Sequence, residues 1–152
     1  MENSITSSSK FKSSRPFKWW HAVLILLFAN LISAIPAGYN GEEAFYNNFT
    51  LPAIAPPDWL FAPVWLFNNI TSLIGLYITA NLRVSQSKKV FYWAEGISWV
   101  LFAVFTILYF GLKSPILGAL DTALGLVATT ISFIVAYKIN KKASLFILPR
   151  LL

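Results

Sequence analysis

The segment from Trp59 to Asn69 carries side chains of the kinds that hold a flat, largely apolar molecule. Trp65, Asn68 and Asn69 are spaced so that a helix would present all three on one face. Indole rings can stack on or cover an apolar ligand, and carboxamides can both donate and accept hydrogen bonds. A few convergent polar groups among aromatic rings are typical of small-molecule sites. We therefore predict that Trp59 and Trp65 cover a ligand and that Asn68 and Asn69 hydrogen bond to it.

Two acidic residues, Glu95 and Asp121, lie inside long apolar stretches. A carboxylate within a membrane span is costly, so by default it marks a functional site or a buried pair. The two lie near opposite ends of their predicted helices, roughly 15 Å apart along the membrane normal, and are not expected to act together. Asp121 shares its predicted depth with Trp65, so it either borders the same pocket or makes a hydrogen bond between packed helices. We interpret Glu95, which follows Lys88 and Lys89, as an interfacial residue.

Residue types suited to metal or covalent chemistry are scarce. The chain has no cysteine, which excludes disulfides, thiolate metal sites and cysteine nucleophiles within this sequence. Its single histidine, His21, leaves no cluster for zinc or haem ligation and is interpreted as a membrane-boundary residue. We therefore predict no metal site and no resident cofactor, and we assign no catalytic residue.

The composition places these residues in a membrane protein. Of the 152 residues, 57% are hydrophobic and 12% are charged, too few polar residues to cover a globule. Four apolar stretches are long enough to cross a hydrocarbon core of about 30 Å as helices, and a fifth is too short to do so alone. Because a helix satisfies its own backbone in lipid, we predict helices throughout. The predicted fold is an all-α polytopic membrane bundle of five transmembrane helices with the fifth truncated, over residues 19–37, 59–82, 90–112, 116–137 and 143–152.

The basic residues gather in alternate loops and so predict an orientation. They cluster in residues 1–18, 83–89 and 138–142, whereas the other two connections hold a single lysine, Lys113. By the positive-inside rule, the N-terminus faces the cytoplasmic side and the loop of residues 38–58 faces the opposite side. Because the positive charge follows the predicted topology, it does not indicate nucleic-acid binding.

Two segments outside the predicted helices have distinct compositions. Residues 1–18 are Ser-rich and basic, and we predict a tail that contacts anionic lipid, with an organelle-targeting segment as the alternative. Residues 38–58 are longer than most connections and are stiffened by three prolines, so we predict that they roof and gate the pocket. Pro63 either begins the regular part of the following helix or leaves a kink near its start.

The prolines and aromatic residues around this loop resemble those of the tryptophan-rich sensory protein or translocator protein family, also called peripheral benzodiazepine receptors. The family pattern W-Y, five residues, then P-x-W-x-P-P-x-W-x-F-x-P-V-W is matched in spacing by Phe45-Tyr46 and by residues 52–65, PAIAPPDWLFAPVW. Three later segments resemble the family's F-F-G-L, L-x-D and A-x-L-x-L-x-P-Y, namely Tyr109 to Leu112, Leu120-Asp121, and Ala143 to Arg150. In this chain Phe45 and Ile54 stand where the family has tryptophan, and Arg150 stands where it has tyrosine.

The resemblance implies a five-helix bundle, usually dimeric, with a pocket between the helices that binds porphyrins, sterols and synthetic ligands. It adds Phe45, Tyr46 and Ile54 to the predicted ligand-binding residues, and it supports the inclusion of Asp121. The leading interpretation is a membrane protein that binds a large apolar or amphipathic molecule, a tetrapyrrole or else a sterol, for transport or sensing. The alternatives are a light-dependent porphyrin-degrading enzyme and a membrane assembly protein that binds no ligand. The implied partners are the lipid bilayer, the ligand and a second copy of the chain.

Overall fold

The computed structural model describes residues 16–40, 48–50, 53–82 and 86–151. Within these ranges the chain forms five α-helices and no β-strand: α1 (Trp19–Asn40), α2 (Phe61–Ala80), α3 (Gln86–Thr106), α4 (Pro115–Ile139) and α5 (Lys141–Ile147). The first four are long and apolar enough to cross a membrane, and α5 is not among them. The predicted all-α bundle with a short fifth helix is confirmed. The protein is an integral, multi-pass membrane protein.

Short local signals set where the helices begin. A 3-10 turn, Asp58–Leu60, precedes α2, so Pro63 lies in the first turn of that helix. Backbone N–H groups in a first turn have no partner within the helix, so a proline costs little there. Pro63 therefore belongs to the start of α2 rather than to a kink. Ser114 caps α4 by accepting a hydrogen bond from the Leu117 amide at 3.3 Å, and Pro115 is the first residue of that helix.

A break at Asn140 separates α4 from α5. Its extended backbone, with φ −158° and ψ 112°, ends α4, and its side chain accepts a hydrogen bond from the Ala143 amide at 3.1 Å. After α5, a 3-10 turn over Leu148–Leu151 continues to the end of the described chain.

The third helix begins at Gln86, before the predicted start at residue 90. Lys88 explains the difference, because its side chain is 2% exposed and donates to the carbonyls of Ala80 at 2.5 Å and Leu82 at 2.6 Å. The last carbonyls of a helix lack hydrogen-bond donors within that helix. A lysine that reaches them supplies the donors and at the same time gives its own buried ammonium group acceptors. At its other end, α3 widens into a five-residue π-helical turn, Ile107–Gly111.

The helices pack in a ring in the order α1, α2, α5, α4, α3, with α3 against α4 as the largest interface. The core contains Leu73, Leu76, Phe91 and Ile147, packed with small residues from the neighbouring helices. Most other large apolar side chains of α1 to α4 point outward, where they contact the acyl chains of a bilayer. The fold therefore places many of the polar side chains of the spans, Ser72, Glu95 and Asp121 among them, inside the ring.

Candidate functional site

A cavity of about 620 Å³ lies between α1, α2, α3 and α4. Seven aromatic side chains form most of its wall: Trp59, Phe61, Trp65, Phe102, Phe105, Tyr109 and Phe110. The polar lining residues are Asn30, Ser33, Thr106 and Thr122, and the small ones are Ala34, Ala62, Pro115, Gly118 and Ala119. Such a wall suits a large apolar molecule with a few hydrogen-bonding groups.

Trp65 is the centre of the aromatic wall. Its ring contacts those of Phe102 and Phe105 edge to face, with centroids 5.4 and 5.2 Å apart. Phe105 in turn stacks on Tyr109 with an interplanar angle of 10° and a centroid distance of 5.5 Å. Edge-to-face and offset contacts of this kind fix ring orientation. The contacts therefore hold a continuous aromatic surface along α3 and its final turn.

Close packing on α4 keeps this surface in place. A Cβ added to Gly118 would lie 2.7 Å from Cδ2 of Tyr109, closer than side chains tolerate. The glycine thus lets the Tyr109 side chain pack directly against α4 at the edge of the cavity. On α1, the Asn30 side chain donates a hydrogen bond to the Leu26 carbonyl at 2.8 Å. One of its amide hydrogens is therefore used within its own helix.

The structure brings together some of the predicted site residues and leaves others apart. Trp59 and Trp65 both line the cavity, and the Trp59 side chain is 70% exposed. Asp121 is 5% exposed and lies behind the lining rather than in it, between Gly118 and Thr122 along α4.

Three further predicted residues do not line the cavity, and two lie outside the described ranges. Ile54 is 92% exposed, while Asn69 is 2% exposed and its Nδ2 has no hydrogen-bond partner among the described residues. Asn68 is partly buried next to Thr71, whose hydroxyl donates to the Asn68 carbonyl at 3.1 Å. Phe45 and Tyr46 fall in the 41–47 range, outside the described residues.

The interpretation of Glu95 as an interfacial residue is wrong. Its side chain is buried, accepts hydrogen bonds from Ser72 at 3.3 Å and from Ser132, and pairs with Arg150 at 3.4 Å. Arg150 also donates to Ser72 at 2.8 Å and lies over the Trp99 ring, 5.0 Å from its centroid. The last described turn of the chain brings the guanidinium into the bundle, so the acid has a buried partner instead of water.

Several cavity residues were not predicted as site residues. Phe102, Thr106 and Tyr109 recur at helical spacing on α3 and its final turn, and Asn30 and Ser33 lie three apart on α1. The spacing of both sets could have pointed to faces that look inward. It could not have told a cavity wall from packed core, because both present the same residue types. Within the described residues, no three histidine or acidic side chains come together as a metal site would require.

The helix ring and its aromatic cavity place the chain among polytopic membrane proteins that enclose a cavity of the size of a small molecule. Within that class, the sequence matches the TspO/MBR family over residues 22–152, and the chain belongs to this family.

Two relatives carry the same name. The Tryptophan-rich protein TspO of Archaeoglobus fulgidus is 28% identical over 138 residues, which cover 84% of this chain and 87% of the relative. The Tryptophan-rich protein TspO of Chlorobaculum tepidum is 29% identical over 114 residues, which cover 70% of this chain and 68% of the relative. The resemblance inferred from the spacing of the prolines and aromatic residues is confirmed.

Proposed function

We propose that this protein binds a large apolar or amphipathic small molecule in the cavity, for transport or sensing across or within its membrane. The observation that carries the proposal is the cavity itself, about 620 Å³ in volume and walled by seven aromatic side chains. A volume of this size is within the range of about 300 to 1,000 Å³ that is usual for ligand pockets.

The shape and chemistry of the wall favour a flat ligand. Trp65, Phe105 and Tyr109 present ring faces and edges that match a planar conjugated system. Polar groups from α1, α3 and α4 lie among them, where substituents at the rim of such a ring could bond. A tetrapyrrole is therefore the leading ligand class, and a sterol, which has one polar end and no conjugated plane, is the second. Residues 38–58 are proposed to roof the site from the end at which Trp59 lies; of these, residues 41–47 and 51–52 fall outside the described residues, and residues 38–40 belong to α1.

Tryptophan fluorescence tests the proposal directly, because Trp59 and Trp65 lie in the wall. We expect protoporphyrin IX to quench the emission of the purified protein in nanodiscs, with saturation at one site. Trp65→Ala removes one aromatic face and should raise the Kd about three- to tenfold. Trp93→Ala is the matched control, since Trp93 is 75% exposed and does not line the cavity.

The control separates the cavity from the bilayer. If Trp65→Ala and Trp93→Ala raised the Kd equally, the quenching would come from porphyrin dissolved in the lipid and not from porphyrin in the cavity. Titrations that are unchanged between wild type and Trp65→Ala would contradict binding in this cavity. A cholesterol analogue that competes with the porphyrin would show that one site accepts both ligand classes.

A further inference from the structure

Trp65, at the centre of the aromatic wall, is held by two lines of ring contacts. One line runs through Phe105 to Tyr109, and both of these rings line the cavity. The other runs through Phe102, whose ring meets that of Trp99 at an interplanar angle of 81° with centroids 5.9 Å apart. Because Phe102 packs against both tryptophans, the orientation of one indole ring depends on that of the other.

Trp99 lies outside the cavity wall, and packing alone sets its plane. Its side chain is 7% exposed, and in the part of the chain that the structure describes its Nε1 has no hydrogen-bond partner. A buried indole N–H usually has an acceptor, which also fixes the ring. Without one, the ring of Trp99 is oriented by the groups packed against it. These include Phe102 and Arg150, whose Cζ lies over the indole 5.0 Å from its centroid.

The guanidinium of Arg150 is itself held in place. Its Nη1 donates to Ser72 Oγ at 2.8 Å and pairs with Glu95 Oε2 at 3.4 Å, so side chains of α2 and α3 both orient it. Glu95 is fixed in turn by a hydrogen bond from Ser132 of α4. A planar guanidinium that is fixed in this way restrains an indole ring beneath it through stacking and cation–π attraction. Arg150 therefore restrains Trp99.

These contacts join the last described turn of the chain to the cavity, although Arg150 does not line it. We propose, building on the ligand-binding function proposed above, that Arg150 is a positioning residue for this site. It restrains Trp99 and, through Phe102, sets the orientation in which Trp65 meets the ligand. A flat, rigid ligand depends on that orientation, because aromatic rings attract one another most in offset or edge-to-face arrangements.

Removal of both charges of the ion pair separates positioning from stability. Arg150→Gln alone leaves Glu95 buried without a counter-charge, whereas the double variant with Glu95→Gln does not carry that cost. The double variant should therefore melt at a higher temperature than Arg150→Gln, yet it still lacks a cation over Trp99. We expect its Kd for protoporphyrin IX, from tryptophan quenching in nanodiscs, to rise about three- to fivefold. Lys142→Gln, which removes an exposed cation of α5, should leave the Kd unchanged.

A measurement without ligand follows the rings themselves. In protein labelled with 5-fluorotryptophan, each indole gives a fluorine resonance, and Trp65→Phe, Trp93→Phe and Trp99→Phe each identify one resonance by its loss. We expect the resonances of Trp65 and Trp99 to move in the double variant, because the chemical shift of each depends on the rings packed against it. The resonance of Trp93, whose side chain is 75% exposed, should stay in place.

Trp99→Leu tests the route of the effect. This variant removes the ring beneath Arg150 and leaves the ion pair intact, and it should weaken binding and move the Trp65 resonance. If Arg150 acts through Trp99, the two Gln substitutions should raise the Kd of Trp99→Leu by about twofold or less. The Trp99→Leu result stands alone if the double variant does not fold.

Three results would overturn the positioning role while leaving the cavity as a binding site. The first is a double variant with the melting temperature and the Kd of the wild type. The second is a Trp65 resonance that stays at its wild-type position in the double variant or in Trp99→Leu. The third is full additivity of the Gln substitutions with Trp99→Leu. If the wild-type protein does not bind protoporphyrin IX, the proposed function falls, and the Trp65 resonance still decides whether Arg150 positions the wall.

Discussion

Arg150 reaches the interior from the last described turn of the chain and pairs with Glu95, with side-chain exposures of 11% and 3%. A buried ion pair adds little to the stability of a fold when compared with two apolar residues of similar size in the same places. Loss of one partner, however, leaves the other charge buried without a counter-charge, which is strongly destabilising. We therefore expect Glu95→Gln or Arg150→Gln alone to cost about 3 to 5 kcal/mol, and the double variant to recover a large part of that loss.

Thermal unfolding in one detergent, followed by circular dichroism, would compare the four proteins. Lys89→Gln is the control for loss of a charge on an exposed side chain and should leave the transition nearly unchanged. A double variant no more stable than the worse single variant would show that the two charges do not depend on each other.

The sequence did not predict this pair, for a physical reason. Lys88 and Lys89 precede Glu95 by about two turns of the same helix, whereas Arg150 is 55 residues away along the chain. No local pattern encodes a contact between such distant residues. Lys88, moreover, turns to the carbonyls at the end of α2 and not toward Glu95. The positions of Trp59 and Trp65 in the cavity wall could be anticipated, because both belong to one short segment rich in proline and aromatic residues. Helical spacing from Trp65, by contrast, added Asn68 and Asn69, which do not line the cavity.

At the scale of the elements, α5 is held against α2 by a close approach at Gly75. A Cβ at this position would lie 2.8 Å from Cγ1 of Ile147 and 3.0 Å from the backbone oxygen of Ala143. The side chain could shift, but the carbonyl belongs to the α5 backbone. Gly75→Ala should therefore push α5 outward and cost about 1 to 3 kcal/mol, and should weaken the hold of Arg150 on Glu95.

Gly96→Ala is the matched control, because a Cβ there meets nothing within 4 Å. Alanine is the better helix former by about 0.5 to 1 kcal/mol, so this variant should unfold at the same or a higher temperature. Thermal unfolding followed by circular dichroism would distinguish Gly75→Ala from Gly96→Ala. Equal behaviour of Gly75→Ala and Gly96→Ala would contradict a close contact between α2 and α5.

The number, type and approximate limits of the helices could be predicted because each depends on one continuous apolar stretch. The exact limits could not, since they depend on single side chains that bond to other elements, as Lys88 does at the start of α3. Of the residues that line the cavity, the sequence predicts only Trp59 and Trp65, just before and just after the start of α2; Asp121, predicted on α4, lies behind the lining. The other walls of the cavity come from α1, α3 and α4, and the meeting of these helices at one cavity depends on packing between distant segments, which no single segment encodes.

At the scale of the whole molecule, the connections rich in basic residues alternate along the chain with connections that hold at most one. Asn81, after α2, donates to the Phe17 carbonyl at 2.9 Å and accepts from its amide at 3.1 Å, which joins the start of α1 to the end of α2. Lys18, next to Phe17, and Lys88 and Lys89, at the start of α3, therefore lie on the same side of the bundle. By the positive-inside rule we predict that this side is cytoplasmic and that Trp59 and the cavity lie toward the other side.

The absence of cysteine from the sequence permits a direct test of this orientation. Asn48→Cys and Ser87→Cys each place one thiol at an exposed position, in the first loop and at the start of α3 respectively. In spheroplasts of a bacterial expression host, a membrane-impermeant maleimide should label the Asn48 variant at once and the Ser87 variant only after the membrane is permeabilised. Both should label in detergent, which controls for local access. Immediate labelling of the Ser87 variant with protection of the Asn48 variant would reverse the orientation, because the basic side would then face outward.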